Sequence, residues 1–366
     1  MMSTGSNEDA IRTVFARQGV WCRELGSPLT GLLCELAGRK LDRSTRIGRR
    51  ILDWPNHAAL QSDALPLRLA GGLHALVRRG QLPKLACLYP PHPAPDGEVL
   101  WREVAAALAE AGDELEPWLA RPPQTNEVAR AAILMAGLLV VTARTSLPLA
   151  LYELGASAGL NLMLDRYAYQ LGSLLAGVES SPVRLAPAWE GQAPPAATVR
   201  IQDRHGVDLY PLDVTTAADR ERLLAYIWAD QAERLARTEA AIAIAAADPP
   251  PLDRGDAADW LEAQLEPTPR GGTVRVLMHS IAFQYFPPAT KQRIIAHIAR
   301  VGAAASEQAP LAWLSYEMQP PLGSLAILSL RLWPGGQEQI LATGDPHGVK
   351  LSWVMAEGAR SAEAAS

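Results

Sequence analysis

Apolar residues recur at helical spacing over 8–25, 28–37, 65–79, 99–118 and 126–144, which predicts a run of helices at the start of the chain. Two of these carry start signals. Ser27-Pro28 puts proline at a first helical position, and Asn126 precedes a long apolar-periodic stretch. No strand pattern precedes residue 147. The short run Leu149-Ala-Leu-Tyr-Glu153 then ends in a Gly-rich turn, and helical spacing resumes over 158–171. Strands are predicted at 183–185, 199–201, 273–278, 311–317, 325–332, 339–342 and 349–354, and helices at 217–247 (long or broken in two), 255–265 and 288–301. Strands alternating with helices argue for a mainly parallel sheet, and the closing strands joined by tight turns argue for an antiparallel edge. The pattern predicts a helical domain or cap over 8–145 and an α/β domain over 146–356, with 1–7 and 357–366 disordered. The cap is expected over the carboxyl edge of the sheet.

Length and composition narrow the function classes. The 366 residues suffice for about two domains, and 48% hydrophobic residues supply a sizeable core. The net charge of −5 and the scattered arginines argue against a phosphate-tracking nucleic-acid binder. Cys22, Cys34 and Cys87 fit no zinc or disulfide spacing and sit in apolar neighbourhoods, so they are read as reduced thiols of a cytoplasmic protein. No metal site is predicted. The most apolar run, 131–142, is too short to cross a bilayer and reads as a buried helix.

The chemistry-bearing signal is the turn Glu153-Leu-Gly-Ala-Ser-Ala-Gly159. Its glycines allow a sharp turn and close ligand approach, and a following helix N-terminus would offer unpaired N–H groups. Gly155-Ala-Ser-Ala-Gly159 also matches the nucleophile elbow of α/β-hydrolases, with Ser157 as nucleophile. That elbow follows several strands of its sheet, whereas helices precede this one, and Gly71-Gly72-Leu73-His74 lies inside a helical pattern rather than in an oxyanion loop. Asp345 and His347 follow in the right order for an acid and a base but lie in one tight turn. The order read here, with the Gly-rich turn after the first strand and the other strands later, favours a nucleoside-binding sheet.

The motifs Tyr152-Glu-Leu-Gly-Ala-Ser-Ala-Gly-Leu-Asn161, Gly206-Val-Asp-Leu-Tyr-Pro-Leu-Asp213, Tyr226-Ile-Trp-Ala-Asp-Gln231, His279-Ser280 and Trp333-Pro-Gly-Gly336 together resemble a prokaryotic family catalogued only as a domain of unknown function, over about 15–353. Glu153 to Gly159 separately resembles the first motif of class I S-adenosylmethionine-dependent methyltransferases. That resemblance implies a Rossmann-like, mainly parallel seven-stranded sheet with antiparallel C-terminal strands. It also implies that Glu153, Gly155 and Gly159 hold the methionine part of S-adenosylmethionine, with Ser157 in place of the usual middle glycine. Asp208 resembles the carboxylate that takes the ribose, with Asp213 as the alternative, and Asp256 resembles the residue that reaches the adenine.

His279 follows the apolar strand 274–278 and is the candidate general base; Tyr285 and Glu317 are candidates for lining the acceptor pocket. Against these stand plainer readings: a helix N-cap for Asp256, a turn aspartate for Asp208, a half-buried histidine for His279, and a surface ion pair for Asp230 and Arg234. The expected function is a methyltransferase on a small molecule. The alternatives are a non-catalytic cofactor-binding protein and a serine hydrolase using Ser157. Neither a nucleic-acid nor a membrane partner is expected.

Overall fold

The computed structural model describes residues 4–55, 63–266, 271–319 and 325–354. The chain divides into two compact units, 1–125 with 216–236, and 126–215 with 237–366.

The first unit is helical: α1 Thr4–Glu24, α2 Pro28–Lys40, α3 Arg46–Leu52, α4 Leu65–Arg78, α5 Pro83–Ala86, α6 Gly97–Glu110 and α7 Gly112–Ala120, joined later in the chain by α9 Ala217–Ala225. Residues 4–7, expected to be disordered, begin α1, and the Asn7 amide donates to the carbonyl of Trp54. The continuous helix expected over 99–118 is broken between Glu110 and Gly112 into α6 and α7. The tail 357–366 lies outside the described residues. Cys22 and Cys34 are buried as expected, but Cys87, at the end of the single-turn α5, is exposed and bonds the carbonyl of Pro83.

Segment 216–236 is tied into this unit by Asp230. Its carboxylate accepts from the Leu29 N–H at 2.7 Å and from the Ser27 hydroxyl, so it caps α2 from 201 residues away. The expected Asp230–Arg234 surface pair is thereby replaced: Arg234 bonds Gln231.

The second unit holds α8 Arg130–Thr145, the long helix α10 Ala232–Ala247 from residue 237 onward, α11 Ala257–Gln264 and α12 Pro288–Ala303. Its strands are β1 Leu149–Leu154, β2 Ala168–Leu171, β3 Leu174–Gly177, β4 Arg184–Leu185, β5 Ala188–Glu190, β6 Ile201–Asp208, β7 Leu252–Arg254, β8 Val274–Ser280, β9 Leu311–Met318, β10 Ala326–Trp333, β11 Glu338–Gly344 and β12 Lys350–Trp353. The main sheet has the order β5-β12-β11-β10-β9-β8-β1-β6-β7, and a small second sheet has the order β3-β2-β4. From β7 to β9 all pairings are parallel, and β9 to β12 form an antiparallel meander. This is the expected mainly parallel α/β fold with an antiparallel C-terminal edge, carried from seven to nine strands among the described residues because β12 and, in parallel beyond it, β5 extend that edge.

The chain leaves β1 toward β6 and β7, then returns to build β8 and β9 on the other side. The strand order therefore reverses at β1 and β8, where an open α/β sheet leaves a crevice at its carboxyl edge. The β7 strand had no clear sequence signal; it is three residues long and follows Pro249-Pro250-Pro251. The helix expected over 158–171 is instead a 3-10 helix, Leu160–Arg166, followed by β2. The Tyr167 and Tyr169 hydroxyls bind the carbonyls of Leu160 and Leu164, which fastens that stretch to the small sheet.

Alternation along the strands sorts the two faces. Ala150, Tyr152 and Leu154 of β1, Val207 of β6, Leu277 of β8 and Leu311 of β9 form one core with Trp260 and Leu261 of α11 and Ile294, Ile298 and Val301 of α12. The opposite face carries α8, whose residues 131–142 are all buried. Among the described residues no helix is long and apolar enough to cross a membrane.

Close approach of α8 to the sheet depends on Gly137, where a Cβ would lie 2.4 Å from Leu314 Cδ1. Gly137→Ala should therefore cost about 1–3 kcal/mol through overpacking. Adding Leu314→Ala should return part of that loss, although it leaves a void when introduced alone. Urea unfolding of the double-mutant cycle reads the coupling; strictly additive losses would show that this contact does not set the spacing.

Candidate functional site

The carboxyl end of β1 positions Glu153. It faces away from Tyr152 and Leu154, on the α8 side of the sheet, and is 2% exposed. Burial first, then the negative charge of Asp208, pushes its carboxyl well above the usual carboxylate range; a hydrogen bond with Asn161 and the charge of Arg130 oppose this. Its Oε2 has no hydrogen-bond partner. Asn161 Oδ1 and Ser157 Oγ, in the same segment, are likewise buried and unpartnered.

The turn itself is internally satisfied. The N–H groups of Gly155 and Ala156 donate to the carbonyl of Val207, that of Ser157 to Asp208 Oδ2 at 2.9 Å, and that of Gly159 to the carbonyl of Ala156. Leu160 N–H donates to Asn126 Oδ1 at 2.8 Å. Gly155 and Gly159 have φ of +68° and +70°, and a Cβ on them would meet Ala282 Cβ at 2.6 Å and Pro250 Cγ at 2.7 Å. The glycines thus serve the left-handed turn and close protein packing. A short 3-10 helix follows in place of the expected α-helix N-terminus, and the N–H groups of Gly155, Ala156, Ser157, Gly159 and Leu160 are already paired.

Asp208, at the end of β6, shares the face of Glu153 by register, since Glu153 pairs with Gly206. Its two oxygens accept from the N–H groups of Ser157 and Tyr210, one each. A carboxylate oxygen has further acceptor capacity, so Asp208 remains able to take hydroxyl donors. Asp213 instead closes its own turn, accepting from Thr215 N–H and hydroxyl. Asp256 is the N-cap of α11, accepting from Ala258 and Asp259 N–H and from the Thr290 hydroxyl, so the plainer reading describes its place.

His279 does not meet these groups. In β8 it lies on the α11–α12 face, in register with Leu154, and is 1% exposed. The Trp313 indole N–H, which can only donate, gives its hydrogen bond to His279 Nε2 at 2.9 Å. That fixes the neutral Nδ1–H tautomer, and Nδ1–H donates to Glu317 Oε1 at 2.7 Å. Phe283 stacks on the ring at 4.9 Å. Both nitrogens are occupied and the sheet stands between this imidazole and Glu153. The geometry therefore replaces the expected general base with a structural histidine.

Glu317 also accepts from the N–H groups of Ala282 and Phe283 at 3.0 Å each. Burial raises its pKa, but the hydrogen bond from His279 and these backbone donors outweigh burial and hold the carboxyl below the usual range. Its work is to fasten the loop after β8, so the expected place in an acceptor pocket gives way to loop anchoring. Tyr285 on that loop is 68% exposed.

On the Glu153 side, the turn after β11 and the start of α8 bring further polar groups to the same edge. Arg130 donates to the carbonyls of Pro346 and Ser280. Buried Glu127 lies 3.6 Å from Arg237 and 4.0 Å from His347 Nδ1. Sequence reasoning noticed Asn126 only as a helix start and His347 only as a triad candidate. Nothing in local periodicity marks Glu127, Arg130, Asn161 or Arg237, which converge through long-range packing. Ser157 Oγ is buried with no hydrogen-bond partner, so no histidine activates it, and the hydrolase alternative finds no support.

Residues 12–353 match the family model described as "Uncharacterized protein conserved in bacteria (DUF2332)", and the chain belongs to that family. A search of curated proteins finds no match. Among solved structures the chain is similar to the crystal structure of Streptomyces venezuelae DesVI, at 12% identity over 62% of this chain and 73% of that one, with a TM-score of 0.23. A likeness that slight carries no argument about the site.

Two outcomes follow for stability. Glu317→Ala strands the His279 N–H and two backbone N–H groups in the interior and should cost about 3 kcal/mol at neutral pH. Because Glu317 titrates below its ordinary value, its contribution is present above about pH 4.5 and is lost as pH falls through the lowered pKa, so the deficit of the variant should shrink in acid. Urea unfolding from pH 7 to pH 3 reads both; an unchanged midpoint at pH 7 would rule the anchor out.

Glu153 has the opposite sign. Its raised pKa means that stability is full below about pH 4.5 and falls as pH rises toward the folded value, at up to about 1.4 kcal/mol per pH unit. Glu153→Gln, which cannot ionise, should gain on the native protein progressively over that window. A pH-independent difference between the two would contradict the reading.

Proposed function

We propose that the crevice at the carboxyl ends of β1 and β6 binds S-adenosylmethionine and that the protein is a methyltransferase acting on a small molecule. The observation that carries this reading is the buried Glu153 carboxyl, with its unpartnered Oε2, at the point where the strand order reverses. A buried acid whose neutral form is favoured gains most from a cationic partner, and the amino-acid ammonium of the cofactor is such a group. Asp208, on the same face one strand over, suits the vicinal ribose hydroxyls. Leu209 and Tyr210, both exposed directly after Asp208, offer apolar surface for a base. Most N–H groups of the turn are already paired, which leaves the cofactor's carboxylate to a side chain. The cation whose field reaches Glu153, Arg130, is the group we assign to it.

The bound cofactor supplies an electrophilic methyl group. The chain's own part is to exclude water and to hold donor and acceptor in line, which requires no ionisable group at the reacting atom. With His279 on the far face, proton removal from an acceptor falls to groups on the Glu153 side, where His347 is partly exposed beside Glu127.

Calorimetry and thermal unfolding with S-adenosylmethionine and S-adenosylhomocysteine test the binding step. Ligand at 100 times its dissociation constant should stabilise by about 2.7 kcal/mol. Affinity should rise with pH, because Glu153 must release its proton to solvent to pair with the incoming ammonium, and Glu153→Gln should weaken both ligands about tenfold or more and abolish that pH dependence. No saturable binding at millimolar ligand would remove the cofactor assignment. Binding unaffected by Glu153→Gln would move it elsewhere. Gly159→Val is a poor probe, because it forces a side chain against Pro250 at a positive φ and tests the fold rather than the ligand.

A further inference from the structure

A second polar site lies wholly within the helical unit, around Tyr226. The Tyr226 ring is held on two sides. A Cβ at Gly71 of α4 would lie 2.6 Å from its edge atoms, and Trp118 of α7 meets it edge-to-face with centroids 5.6 Å apart. The residue is 5% exposed, yet its hydroxyl has no hydrogen-bond partner. A buried phenol normally finds one, because leaving it unmade costs about 1–3 kcal/mol.

The two helices that pack on this ring and the helix that leads into it each carry an arginine whose charge reaches the Tyr226 hydroxyl. Arg222 stands four residues before Tyr226, with most of that interval in α9, and so lies on its helical face. Arg68 stands three residues before Gly71 on α4, and Arg121 follows Trp118 by three at the end of α7. The Nε of Arg222 is buried without a partner; a long contact of 3.4 Å from its Nη2 to the carbonyl of Pro122 is the bond it makes. Arg68 is buried and already donates from Nε and Nη1 to the carbonyls of Asp63 and Leu119, so its contribution here is charge.

The opposing acids are Asp63, 3.8 Å from Arg68, and Asp219, whose charge reaches Arg222. Arg50, whose charge also reaches Arg68, is paired with Glu116 at 3.4 Å. His74, bonded to the carbonyl of Ala225, is held neutral at physiological pH, its pKa lowered to about 4 by burial, and adds no charge. Burial lowers the pKa of Arg222, and the neighbouring Arg121 adds to this against the opposing charge of Asp219.

We propose that Arg222 and Tyr226, with the charges of Arg68 and Arg121, form a binding site for a phosphate group. The two unpartnered donors are a guanidinium N–H and a phenol O–H, four residues apart in sequence and both buried. A tetrahedral oxyanion presents oxygens in more than one plane and satisfies both, while a planar carboxylate suits a single fork. This site is independent of Glu153 and of the cofactor reading, since every residue in it belongs to the other unit. Free phosphate and the phosphate of an organic monoester share the chemistry.

The test uses the full chain, titrated calorimetrically and by thermal unfolding with inorganic phosphate and, separately, glycerol phosphate, against sodium chloride at matched ionic strength. Saturable binding and a rise in Tm beyond the chloride control are expected. Tyr226→Phe keeps the ring packing and should weaken phosphate about tenfold, as the loss of one hydrogen bond to a charged group. Arg222→Gln should do the same or more. Arg121→Gln, at an exposed position, leaves the core untouched and should weaken binding about threefold, so it remains informative if Arg222→Gln fails to fold. Tighter binding of the monoester would identify an organic phosphate as ligand, and equal or tighter binding of inorganic phosphate would identify the free ion. Absence of saturable binding at matched ionic strength, or equal affinity in native protein, Tyr226→Phe and Arg121→Gln, overturns the proposal.

Discussion

Buried backbone N–H groups must be paired, and the turn after β1 pairs its own with β6. Gly155 and Ala156 share the carbonyl of Val207, Ser157 takes Asp208, and Leu212 N–H returns a bond to the carbonyl of Ser157. These bonds join two neighbouring parallel strands at their carboxyl ends and place Glu153 and Asp208 on one face. They also hold Ser157 at a φ of +54°, a region that costs a non-glycine residue about 1–2 kcal/mol. The same pairing takes up most N–H groups of this turn, so recognition there falls mainly to side chains.

The period of two along a strand then decides which candidates can act together. Glu153 and Leu154 are adjacent in sequence and face opposite cores, and His279 is in register with Leu154. A strand-end histidine therefore lies across the sheet from the strand-end acid of its neighbour, although both ends open on the same edge. Position at the carboxyl edge was legible in the sequence. The face was not, because it depends on inter-strand register, which a single strand does not encode.

Much of the order of elements was readable because it rests on local period and punctuation. The apolar run of α8, the strands β8 and β10, and the turn at Trp333-Pro-Gly-Gly336 all show it. Elements with too few residues for a period went unseen: α3, α5 and the three-residue β7. The stretch 158–171 carries helical spacing, yet its geometry is set by tertiary bonds from Asn126, Tyr167 and Tyr169. The candidate site divides the same way. Glu153, Asn161 and Asp208 lay in motifs, whereas Asn126 and Arg130 reach them only through packing. The Asp230 cap was invisible for the same reason, its partners lying some two hundred positions earlier.

Two buried glutamates show what separates a structural acid from one prepared for a ligand. Glu317 on β9 and Glu153 on β1 both sit at carboxyl ends of parallel strands, with β8 between them, and burial works against the charge of each. Around Glu317 an imidazole N–H and successive backbone N–H groups converge, so ionisation is favoured and the group is complete as it stands. Around Glu153 the nearest carboxylate is Asp208, the Asn161 bond is the hydrogen bond it receives, and one oxygen stays unpartnered. Its missing interactions are those of a cation with N–H donors. The same accounting separates Arg68, whose N–H groups meet carbonyls, from Arg222, whose Nε meets nothing. At both positions the unmade bond, more than the residue type, specifies the charge and the hydrogen-bonding sense of the partner that would complete it.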